Sequence, residues 1–136
     1  MTLRTGATVE YRLLIDDAGP GAAATQLGEL ADWLRHEREL RGRVRTEHGE
    51  IAGGEMGGLP EAVVVAVAAG GAVSVLARAA VEWVKHRTRD VTLKVVEPGG
   101  ESLEISVRRA TSQDTLVTEL LDFLERRQST DSDETA

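Results

Sequence analysis

Cysteine is absent from this 136-residue chain, which excludes a disulfide framework, a thiolate metal site and a cysteine nucleophile. Aromatic residues are nearly absent too: Tyr11, Trp33, Trp83 and Phe123 are the whole set, too few for a platform on which bases stack. Positive charge is in deficit, with 16 Lys and Arg against 23 Asp and Glu and a net charge of -7. Without a cationic excess to neutralise phosphates, nucleic acid is not an expected partner. Residues 1–17 lack a charged start followed by an apolar block, so no secretory signal is expected, and no lipidation motif stands at either end. Catalytic signatures are missing as well. His36, His48 and His86 form no H-E-x-x-H pattern, and no serine lies in a G-x-S-x-G elbow.

What is present is an ordinary globular balance, 41% hydrophobic and 29% charged, in a length that suits one domain with a real core. Residues 1–127 are expected to form that domain, and 128–136 a polar, acidic, disordered tail. Thr8 to Asp16 alternates as a strand, with Val9, Tyr11, Leu13 and Ile15 on one face and Glu10, Arg12 and Asp16 on the other. A helix over about 22–37 follows, burying Leu27, Leu30, Ala31 and Leu34 at helical spacing. A short strand at 43–47, centred on Val44, then suggests a βαβ unit with a parallel pair.

Residues 49–60, GEIAGGEMGGLP, contain five glycines, so backbone freedom rather than packing dominates there. The run offers neither the Lys-Ser/Thr of a phosphate-binding loop nor a G-x-G-x-x-G fingerprint, and Glu50, Glu55 and Glu61 would repel phosphate. Its functional reading is a recognition loop in which Glu55 and Met56 offer one charge and one adaptable apolar contact.

The next segment holds sixteen uncharged residues, 62–77. Read as helix, it belongs to one long element over 61–87 that Pro60 and Glu61 begin, with Gly70-Gly71 able to kink or split it. Ala62, Ala66, Gly70 and Ser74 would then form a small-residue face suited to close packing or self-association. Sixteen residues span about 24 Å as helix, short of the roughly 30 Å of a bilayer core. Two strands near 91–96 and 102–108, joined by a Pro-Gly-Gly turn, read as a hairpin. Thr111 to Asp114 matches a capping pattern for a last helix to about Arg127, burying Leu116, Val117, Leu120, Leu121 and Leu124. The expected order is βαβ-α-ββ-α: an α/β (α+β) single domain, a four-stranded mixed sheet packed with three helices, one of them long and apolar. Arg41, Arg43 and Arg45 form a basic cluster, either a solvated face or a contact for an acidic partner.

Several segments in this order resemble the effector-associated constant component family, small actinobacterial proteins encoded beside variable effectors in biological conflict systems. They are LADWLRHERELRGRV at 30–44, the box Gly54-Glu55-Met56-Gly57 ahead of the apolar segment, RDVTLKVV at 89–96 and LEISVRR after the turn. The resemblance spans about 8–125. It implies a non-enzymatic, cofactor-free defence component acting in the cytoplasm as adaptor or regulator of a neighbouring effector, such as a trypsin-like or caspase-like peptidase. The family pattern transfers no catalytic residue, and only the box carries over as a signature. Two alternatives stand beside the adaptor: a membrane-associating or pore-forming component exposed through a helix over 59–84, and a small enzyme with an assembled Ser, His and acidic set.

Overall fold

The structure is a computed structural model that describes residues 8–16, 20–48, 60–68, 71–86, 91–106 and 113–135. β1 (Thr8–Asp16) carries the alternation expected of it, with Val9, Tyr11, Leu13 and Ile15 buried. α1 (Pro20–Arg35) buries Leu27, Leu30, Ala31 and Leu34 at the predicted spacing. A single 3₁₀ turn, Arg38–Leu40, leads through Gly42 into β2 (Val44–His48). Gly42 has φ +79°, a left-handed backbone that a side chain would strain.

No single helix runs over 61–87. Pro60–Ala68 is a strand, β3, and a separate helix, α2, occupies Gly71–Lys85. The double glycine lies at the change of element, but Gly70 itself is outside the described residues. β3 reads as apolar all round because it is a central strand covered on both faces. Four of its nine residues are valines, which a pleated ladder accommodates better than a helix does.

The hairpin of β4 (Thr92–Val96) and β5 (Ser102–Ser106) forms as expected, with residues 107–108 of the expected second strand outside the described residues. Gly100, at φ +103°, closes its turn, with its N–H donating to the Glu97 carbonyl at 2.9 Å. Glu97 Oε1 also accepts the Glu101 N–H at 3.1 Å. The last helix, α3 (Gln113–Thr135), continues past the end expected near Arg127. Thr111 of the capping pattern lies outside the described residues.

The five strands form one sheet in the order β2-β3-β1-β4-β5, antiparallel throughout. The expected four-stranded mixed sheet is therefore corrected to five antiparallel strands. β1 and β2 do run in the same direction, but β3 lies between them and pairs with both. β3 and β4 likewise flank β1. The first four strands and two helices thus have the βαββαβ connectivity of the ferredoxin-like split βαβ arrangement, to which β5 and α3 are added. The unpredicted pairing has a simple cause. β3, absent from the sequence reading, takes the place beside β1 that β2 was expected to fill.

All three helices lie on one face of the sheet. Leu27, Leu30 and Leu34 of α1, Leu76, Val81 and Trp83 of α2, and Leu116, Leu120 and Leu124 of α3 share one core with Tyr11, Leu13, Val63, Val65, Leu93 and Ile105. Each such side chain contributes about 1.5–3 kcal/mol when fully buried. A polar link fastens this layer: the Tyr11 hydroxyl, wholly buried, donates to the Leu124 carbonyl at 2.8 Å. It joins the central strand β1 to the last helix.

Candidate interaction surface

The box Gly54-Glu55-Met56-Gly57 lies in the connection 49–59, outside the described residues, but its anchorage is described. The connection leaves the sheet at His48 and re-enters at Pro60, and these two residues are register partners. The register of the ladder shifts between Glu47 and His48, where Glu61 of β3 is left without a register partner. Eleven residues therefore close a hairpin between the edge strand β2 and the interior strand β3.

The base of that hairpin is stiffened from outside. Residues of β3 that face away from the helices are small, Ala62, Val64 and Ala66, whereas those of its neighbours are long and charged. Register places Val64 between Arg12 on β1 and Arg45 on β2. The two arginines reach across β3 in opposite senses. Arg12 Nη2 meets Glu47 Oε1 of β2 at 2.8 Å, and Arg45 Nη1 meets Glu10 Oε2 of β1 at 3.3 Å. Arg45 also lies 3.7 Å from Glu47. Strands two apart are separated by about 9.6 Å, a gap that only such long side chains can bridge. Their stems roof β3, and Val64 is left 1% exposed on a face where no described helix packs. Exposed pairs of this kind contribute little by charge alone, so their main effect here is cover.

The other expected residues are dispersed. Ala62 and Ala66 sit on β3, while Ser74 sits on α2 and donates its hydroxyl to the Gly71 carbonyl at 3.0 Å. A strand and a helix cannot share one helical stripe, so the small-residue face of Ala62, Ala66, Gly70 and Ser74 does not exist as a helix surface. Of the arginine cluster, Arg41 and Arg43 are exposed, and Arg45 is held by Glu10 and Glu47. His36 and His86 each place Nδ1 against the carbonyl one helical turn back, Asp32 at 2.8 Å and Glu82 at 2.7 Å. Both rings therefore act as donors at helix ends. Among the described residues no group of three or more His, Cys, Asp or Glu converges as a metal site. Nor is any helix among them long and apolar enough to cross a membrane. The helix over 59–84 on which the membrane alternative rested is replaced by β3 and α2.

Two features were not anticipated. One is the crossed ion pairs, although the outward Glu10 and Arg12 of the β1 alternation carried half the signal. The other is Trp33, 36% exposed, whose indole N–H donates to the Ala79 carbonyl of α2 at 2.9 Å. Its ring lies 6.0 Å from that of His86. Trp33 falls off the Leu27-Leu30-Leu34 stripe, and an off-stripe tryptophan on an amphipathic helix marks a contact with a neighbouring helix.

These parts define a two-layer α+β domain with ferredoxin-like connectivity, one helical face, one charged sheet face and a long edge hairpin. The family model for Effector Associated Constant Component 1 matches residues 18–125, and the chain belongs to this family. No curated protein and no solved structure matches the chain.

Proposed function

We propose that this protein is a non-enzymatic binding component that acts as adaptor or regulator of a variable effector, a peptidase in the first instance, within a bacterial defence system. Family membership supports the association with an effector. The observation that carries the surface assignment is the anchored hairpin. β3 is buried on both faces and pinned to β1 and β2, so the connection between His48 and Pro60 springs from a rigid base. Recognition residues on a loop held by a rigid scaffold are a recurrent arrangement in binding proteins. Glu55 supplies a charge for a basic site on the effector, and Met56 supplies an apolar contact that adapts to changing partners. A constant component that meets variable effectors needs this combination. The reading places its action in the cytoplasm and requires no cofactor.

The test is co-purification of the full chain with the effector encoded beside it. Glu55→Lys and Met56→Ala are expected to weaken the complex at least about tenfold, which is about 1.4 kcal/mol, while the circular dichroism spectrum stays that of the parent. Unchanged binding by both variants would remove the hairpin from the interface, and no complex with the parent chain would remove the adaptor reading.

A further inference from the structure

The two edges of the sheet differ in what they would meet in a second copy of the chain. β2 and β5 are the outer strands. In β2 the direction of the main-chain groups follows from one bond: the Arg43 carbonyl accepts the Ala66 N–H at 3.0 Å, so this carbonyl turns towards β3, while the Arg43 N–H donates to the Leu40 carbonyl at 2.9 Å. Alternation then turns Arg45 and Glu47 inward and Val44 and Thr46 outward. The outward Val44 carbonyl is met by Arg35 Nη2 at 3.4 Å, and the register shift between Glu47 and His48 marks the other end of the regular ladder. Between these two points Thr46, half-buried, points one N–H and one C=O out of the edge.

We propose that β2 pairs antiparallel with β2 of a second copy about a two-fold axis at Thr46. In this register Thr46 of each copy exchanges N–H to O bonds with Thr46 of the other. Arg45 of each copy stands opposite Glu47 of the other, and Val44 stands opposite His48. The strand VRTEH is thus self-complementary in charge about its centre. Arg45 and Glu47 are already ordered by Glu10 and Arg12, so pairing costs them less side-chain freedom. The other edge lacks this property: β5, SLEIS, centred on itself, brings Glu104 against Glu104, and like charges directly opposite are unfavourable. So short a strand pair makes a reversible dimer rather than a permanent one.

Light scattering of the full chain, without effector, tests this pairing independently of the adaptor reading. The apparent mass is expected to rise towards twice the monomer mass as concentration approaches roughly 1 mM. Thr46→Pro removes an outward N–H for which the described residues supply no acceptor, and proline is tolerated at such edge positions. Thr46→Lys places like charges at the axis. Each is expected to weaken dimerisation at least about tenfold with an unchanged circular dichroism spectrum. If Thr46→Pro fails to fold, Thr46→Lys stands, together with exchange of the Thr46 amide in the parent chain, which should slow as concentration rises. A parent chain that stays monomeric throughout overturns the proposal. So does a dimer that both variants leave intact, or a Thr46 amide that exchanges at the same rate at every concentration.

Discussion

Tyr11 and Gln26 show how single polar atoms divide between anchoring and strain. The Tyr11 hydroxyl is fully buried and satisfied by the Leu124 carbonyl. Tyr11→Phe should therefore cost about 1 kcal/mol in urea unfolding, the net value of one such bond, and a variant as stable as the parent would show that the bond contributes nothing. Gln26 is the opposite case. It is buried in α1, and its Oε1 has no hydrogen-bond partner among the described residues. Leaving such an oxygen unpaired costs about 1–3 kcal/mol, so Gln26→Met, similar in length and without the oxygen, should raise the urea midpoint. A fall of the midpoint would mean that the amide contributes a bond elsewhere.

Among the elements, β3 decides the architecture, and its roof is the part open to direct test. Arg12 and Arg45 act through the stems that cover Val64 more than through charge. Arg12→Ala should destabilise by about 1 kcal/mol, and Arg12→Met, which keeps most of the stem, should recover more than half of that. The loss on Arg12→Ala should persist in 1 M salt, where a purely electrostatic pair is screened. A loss that disappears with salt, or an Arg12→Met variant no better than Arg12→Ala, would return the effect to the ion pair.

The same strand explains what the sequence could and could not disclose. β1, α1 and the β4–β5 hairpin were legible because each has one buried and one solvated face, and so leaves a period of its own. β3 has two buried faces and leaves no period. A continuous apolar run is ambiguous between strand and helix, and the Ala and Gly after Val67 extended the helical reading into the true helix α2. The valine content of 63–67 was the available signal. Once β3 was merged with α2, the partner of β2 was lost, and β1 was left to pair with β2 in parallel. Of the candidate surface, the box was legible only through its family. The crossed ion pairs were not, since they join residues on β1 and β2 whose separation depends on β3 lying between them.

For the molecule as a whole, the described residues share one core, and the box proposed for recognition lies outside the described residues. The three helices and all five described strands contribute to that core, β2 through Val44 and β5 through Ile105. Residues 128–136 include no large apolar side chain, so removing them should leave the melting temperature within about 2 °C of the parent. A larger fall would show that this end of α3 packs on the domain. The central claim is that the hairpin between His48 and Pro60 is the surface offered to the effector. Hydrogen exchange of the full chain, alone and with the proposed effector, tests it most directly. The account predicts new protection confined to 48–60, with β3 at 62–67 already slow in the free chain. Protection that falls instead on α1 and α2 around Trp33, with 48–60 unchanged, would contradict it.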